Sequence, residues 1–142
     1  EELNLGLLCF IAYRSMEAQI LEELADHGFG DLTASQGRIA ARIGPHGTRM
    51  GSLAEQALVT KQTASALVDH LERAGYVRRV PDPDDARARL VVLDERGEAA
   101  VEVARVTQER VEAAWVEHLG PRASRPLRAA LERLREITDP YA

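Results

Sequence analysis

With a single cysteine among its 142 residues, the chain can form no internal disulfide, as suits a reducing compartment. Long apolar runs are missing too. The longest such block, Leu7-Leu8-Cys9-Phe10-Ile11-Ala12, falls well short of a membrane span, and no basic, apolar, cleavable leader is seen. These absences predict a soluble cytoplasmic protein. There is no internal repeat, low-complexity tract or linker, and the length fits one domain, residues 1–142, with a moderate core. No nucleophile, base and orienting residue stand in a recognisable order, and no glycine-rich phosphate cradle follows a strand. An enzyme is therefore not expected, and no catalytic residue is nominated. His27, His46, His70 and His118 lack the paired spacing of a zinc site, so neither metal nor cofactor is expected.

A net positive charge is also lacking. The chain carries −5 overall, whereas a nucleic-acid binder is expected to show a basic footprint. Distribution answers part of this objection. Residues 33–97 hold ten Lys or Arg against eight Asp or Glu, an excess of two positive charges. Residues 1–32 hold one against seven and residues 98–142 seven against eight. The central zone is the positive one, but its field is weak.

That zone also carries the most informative pattern. Ser52 and Glu55 have capping-box spacing and predict the start of a short helix. Leu58-Val59 then leads to Thr60, which can cap a second helix over Lys61 to Ala74, stopped by Gly75. Ala64, Leu67, Val68 and Leu71 form one buried stripe of that helix, leaving Gln62, Thr63, Ser65, Ala66 and Asp69 outside. Short and hydrogen-bonding side chains near its N-terminal end suit an approach to base edges in a major groove. Two β-branched-rich runs follow, Tyr76 to Val80 and Arg89 to Leu93, joined by the turn chemistry of Pro81 to Ala88. They predict a two-stranded wing, within which Asp85 can orient Arg87 by a charge-assisted hydrogen bond. Helix, turn, helix and charged hairpin in this order are the layout of a winged helix-turn-helix.

Residues 33–97 resemble the DNA-binding lobe of the MarR family, the multiple antibiotic resistance regulators. The most specific segment runs from Asp82 to Gly97 and is similar to the family's wing signature: Asp, two residues, Asp, basic residues, Val, Leu, Thr and Gly. Ala86 departs from it where an arginine is frequent. Asp94 replaces the usual threonine, and both residues cap helices. The flanks fit the family's dimerisation region, with helices predicted over Leu3 to His27, Ala34 to Ile43 after a Thr33/Gln36 capping box, Gly97 to Leu119, and Ser124 to Thr138 beyond Pro121. A small lobe cannot bury the apolar stripes of the first and last helices. Either an intramolecular bundle or a homodimer covers them, and the resemblance favours the homodimer. The expected fold is mainly α, a winged helix-turn-helix lobe between long N- and C-terminal dimerisation helices.

The resemblance implies a DNA-binding transcriptional regulator, most often a repressor, that binds a palindromic operator in double-stranded DNA. Lys61, Gln62, Thr63 and Ser65 are the candidates for groove contacts. Arg49, Ser52, Thr60, His70 and Arg78 are the candidates for phosphates, and Arg87 and Arg89 for the minor groove, whose narrow tracts concentrate negative potential. Ser52 and Thr60 also serve as caps, while Arg73 and Arg79 are left to pair with nearby acids. Family members commonly bind small aromatic or anionic effectors between the long helices and the reading lobe. Arg14 beside Tyr13 offers a cation and an aromatic for such a ligand, or else an inter-helix ion pair. Cys9, in Leu8-Cys9-Phe10-Ile11-Ala12-Tyr13, resembles the sensing position of the organic hydroperoxide regulators, where oxidation to sulfenic acid would disturb packing. Their partner tyrosines are absent, with Glu23 and Ala34 near those places, and a cysteine on an apolar stripe is usually a small core residue. The rival from another class is a winged-helix module that docks a protein partner.

Overall fold

A computed structural model describes residues 2–140. Six helices and three short strands follow in the order α1 (Leu5–Asp26), α2 (Ala34–Ala40), β1 (Thr48–Arg49), α3 (Met50–Gln56), α4 (Lys61–Arg73), β2 (Val77–Asp82), β3 (Asp85–Leu93), α5 (Glu95–Leu119) and α6 (Pro121–Thr138). The long helices α1 and α5 pack on one another, and α6 folds back on α5. The middle of the chain forms a separate lobe at one end of that pair.

Helix boundaries follow local chemistry. The Asn4 side chain accepts the Leu7 amide at 2.9 Å and starts α1. Thr33 and Gln36 form the expected reciprocal box before α2, each bond 3.2 Å long. Thr60 accepts the Thr63 amide at 3.0 Å to begin α4, and Gly75, at φ 83°, turns the chain out of it in the left-handed region where a Cβ is disfavoured. Asp94 accepts the Glu95 amide at 3.0 Å and starts α5, doing the work of the threonine it replaces.

Ser52 is the exception. It lies inside α3, which begins at Met50 after Arg49 and has no side-chain cap. The box fails because Thr48–Arg49 is already held as a strand, so the chain enters the helix three residues before a Ser52 cap would place it. That strand was not expected. It pairs antiparallel with β3, Thr48 opposite Val91 and Arg49 opposite Leu90, making a three-stranded sheet in the order β1-β3-β2. The wing turn is also tighter than expected, since pairing of β2 with β3 runs from Val77↔Leu93 to Asp82↔Asp85. Pro81 sits on edge strand β2, where its missing N–H costs no ladder bond to a further strand. Helix α2 stops at Ala40, three residues before the expected end. Pro121 starts α6 at its first turn instead of merely separating it from α5.

The core lies in the lobe and at its junction with the long helices. Ala64, Val68 and Leu71 of α4 are buried, as their spacing predicted, against Ile39, Leu53, Tyr76, Val77 and Val91. Each large aliphatic side chain removed from water there contributes about 1.5–3 kcal/mol. Leu24 of α1 and Ala100 of α5 extend the cluster to the junction. Gly97 fixes how closely β2 and α5 approach, because an added Cβ would overlap the Tyr76 carbonyl oxygen. Helix α6 buries none of its residues.

Candidate nucleic-acid interface

The exposed side of α4 presents Lys61, Gln62 and Thr63 at its start, with Ser65 half-buried behind them. Thr60 is committed to capping, and its hydroxyl also donates to the Thr63 hydroxyl at 3.0 Å. Lys61 and Gln62 make no hydrogen bond or ion pair among the described residues, so both can meet a partner without breaking an existing contact. Arg49, Ser52, Lys61 and Arg89 line one notch between the starts of α3 and α4 and strand β3. Four of the candidates thus converge although 40 residues of sequence separate the first from the last.

The arginines fall into two groups. Those of Arg87 and Arg89 on the wing are exposed and have no ion-pair partner among the described residues. Asp85 accepts the Arg87 backbone amide at 3.0 Å rather than its guanidinium, so it shapes the turn and does not aim the side chain. The others are already engaged. Arg79 bridges Asp69 and Glu72 of α4 at 2.7 Å each, as its place near those acids suggested. Arg78 lies 3.9 Å from Asp94, and the His70 ring nitrogen meets the Arg73 guanidinium at 3.2 Å, which turns that ring along the helix.

Arg49 makes a contact that the sequence reading did not include. Its guanidinium grips the buried carboxylate of Asp82, with nitrogen-to-oxygen distances of 2.7 and 2.6 Å. Asp82 also accepts the Asp84 amide at 2.9 Å. That backbone bond, with the Arg49 charge, holds its carboxyl below the usual carboxylate range. The pair ties β1 and the start of α3 to the wing turn. Asp82 to Asp84 is an Asx-turn spacing visible in the sequence; its partner 33 positions away is not.

A second polar joint supports the lobe from behind. The Tyr76 hydroxyl donates to Asp31, and Arg96 reaches Asp31, the Ala74 carbonyl at 2.6 Å and the Gly28 carbonyl at 3.3 Å. The Arg96 guanidinium lies 4.2 Å over the Tyr76 ring. Tyr76 holds Asp31 below the usual carboxylate range with help from Arg96, while burial raises the phenol. This joint fixes the end of α4 against α5 and the α1–α2 turn.

Comparison with known proteins matches a family model described as the MarR family to residues 30–88. The transcriptional activatory protein BadR of Rhodopseudomonas palustris is 33% identical over 94 residues, 66% of this chain and 53% of BadR. A crystal structure of the transcriptional regulator Tm0710 from Thermotoga maritima superposes with a TM-score of 0.61 at 29% identity, covering 95% of this chain and 91% of that one. In sequence pattern and fold the chain is similar to MarR-family regulators. An S. aureus MepR variant solved bound to an oligodeoxyribonucleotide shares the fold, with a TM-score of 0.60 at 22% identity over 95% of this chain and 98% of MepR. The chain spans about half the length of the curated relatives it matches.

The three residues nominated for effector sensing do not form one site in this fold. Cys9 is exposed on α1. The Arg14 guanidinium lies 5.7 Å over the Phe10 ring rather than beside Tyr13. Only Tyr13 borders a cleft, one of about 330 Å³ between α1, α2 and α5. Its hydroxyl donates to Glu17 at 2.7 Å, and Arg38 of α2 grips the same carboxylate at 2.8 and 3.0 Å. Arg38 holds the Glu17 carboxyl below its usual range; burial, then Glu17, raises the Tyr13 phenol. Neither Glu17 nor Arg38 stood out in the sequence, because one lies on a helix with many acids and the other in a short helix 21 residues on. Among the described residues no group of His, Cys, Asp and Glu could hold a metal ion, and no helix is long and apolar enough to cross a membrane.

Proposed function

We propose that this chain is a MarR-type DNA-binding transcriptional regulator that acts as a homodimer on a palindromic operator. The observation that carries this reading is the exposed rim formed by Lys61, Gln62, Thr63, Arg87 and Arg89. It joins a helix start to a wing tip and leaves its cations uncommitted, while neighbouring arginines are tied to acids. A helix of this kind enters a major groove with its N-terminal residues toward the bases. The wing arginines then reach phosphates or the adjacent minor groove. MepR bound to an oligodeoxyribonucleotide lends the same architecture to the same use.

Dimerisation follows from the surfaces left open. Leu5, Leu8, Phe10 and Ile11 of α1 are exposed, and so are Leu127, Leu131, Leu134 and Ile137 of α6. An apolar surface repeated along two helices is what a partner copy covers. Charge agrees, since α6 carries five Arg against two Glu and α1 one Arg against four acids. Repression is the mode the resemblance implies, although BadR is named an activatory protein; a promoter reporter reads the sign. An effector enters this reading through the cleft at the junction, where differential affinity for two lobe spacings would shift DNA release.

Fluorescence anisotropy with random duplex tests the core of the proposal. Binding that weakens steeply as salt rises is expected, and selection from a random pool should return a two-fold symmetric site. No binding at low salt would instead favour the protein-docking module.

A further inference from the structure

We propose that Gln62 sets the sequence preference of this chain by reading an adenine in the major groove of each half-site, while Ala66, one helical turn further on, packs on the methyl of a neighbouring thymine. The assignment rests on the duplex-binding reading of the same rim and specifies which base pairs the rim selects. Helix α4 buries Ala64, Val68 and Leu71. At about 3.6 residues per turn, the stripe opposite them carries Gln62, Ala66, Asp69 and Arg73. Gln62 and Ala66 are both exposed. They lie about 6 Å apart along the axis, close to two base-pair steps of a duplex.

What the stripe lacks decides the base. Guanine is met best by an arginine fork, and residues 61–68 contain no arginine. Arg73 lies three turns in, where its guanidinium meets the His70 ring at 3.2 Å. Cytosine offers an amino group to an acid, but Asp69 already accepts from Arg79 at 2.7 Å. Lys61 sits to one side, in the notch with Arg49, Ser52 and Arg89, where Glu55 is the one acid. Three cations converging there match a phosphate rather than a base edge. Thr63, on the other flank, has its amide and hydroxyl engaged by Thr60 at 3.0 Å each, and Ser65 is half-buried. Gln62 remains. Its side chain makes no hydrogen bond among the described residues, and its amide both donates and accepts, which fits the N7 and the exocyclic amino group of adenine as one bidentate pair. Ala66 offers only a methyl, which the thymine methyl matches.

Binding-site selection from a synthetic duplex pool with a randomised centre, run with the native full chain and with two variants, tests this. The native chain should enrich an A·T pair at one position of each half-site. Gln62→Ala should lose that preference and keep the others, binding the native site about 5- to 100-fold more weakly with an unchanged circular dichroism spectrum. Gln62→Arg should prefer G·C at the same position, a switch that loss of structure cannot imitate. An adenine analogue with carbon in place of N7 should weaken native binding about three- to tenfold and leave Gln62→Ala unaffected. Uracil in place of the neighbouring thymine removes one methyl and should weaken native binding about threefold; indifference to uracil overturns the Ala66 contact. Selective binding whose pattern Gln62→Ala leaves intact overturns the proposal while the operator reading stands, as does enrichment of G·C at the position where Gln62→Ala loses its preference. A native chain that binds no duplex at low salt overturns both.

Discussion

Neighbouring arginines in this lobe differ in one decisive respect, whether an acid already holds them. Arg87 is exposed with no ion-pair partner among the described residues, and Arg87→Ala should weaken operator binding by about 1–3 kcal/mol. Arg79→Ala, whose guanidinium is spent on Asp69 and Glu72, should leave affinity nearly unchanged in the same anisotropy titration. This division was only partly legible in the sequence. Arg79 could be paired with acids on the preceding helix by proximity, whereas the hold of Asp82 on Arg49 spans 33 positions and depends on the sheet. Gly97 tells the same story for packing. Its place in the wing signature marks it, but the overlap with the Tyr76 carbonyl exists only once β2 and α5 have met. Gly97→Ala should lower stability by about 1–3 kcal/mol in denaturant unfolding, the usual cost of overpacking.

Between elements the connections are polar as well as apolar. Glu17 joins α1 to α2, Asp31 joins the α1–α2 turn to β2 and α5, and Asp82 joins the wing to β1. All three carboxyls are held below their usual range by these contacts. Near pH 4 the unfolded chain therefore binds more protons than the folded one, and stability must fall as acid is added. Melting temperature is expected to hold near neutrality and to drop progressively below about pH 4. Tyr76→Phe removes the Asp31 hydrogen bond and should make that acid loss shallower. Element boundaries were legible wherever one residue type has one local role, as with Thr33, Thr60 and Gly75, whereas α5 begins at Glu95, two residues before the expected Gly97. They failed where a tertiary contact decided the matter. A two-residue strand such as Thr48–Arg49 has no periodicity to read, and once paired with β3 it sets the start of α3 ahead of the Ser52 box.

At the scale of the molecule, the reading lobe has a closed core while the helices around it do not. Leu131 and Leu134 of α6 stand exposed on a helix with no buried residue. Leu131→Glu should therefore reduce the mass seen by light scattering to the 15.6 kDa of one chain and weaken operator binding with it. The apolar spacing of α6 was plain in the sequence, but whether another part of the chain would cover it was not; α6 meets α5 without burying any of its residues. The ion pair of Arg49 with Asp82 has a mechanical consequence as well. Strand β1 runs without a linker into α3, and the wing turn is bolted to β1, so hairpin and reading helices form one stiff stamp. If the wing meets duplex as proposed, hairpin and α3 should therefore tilt together on an irregular stretch and not separately.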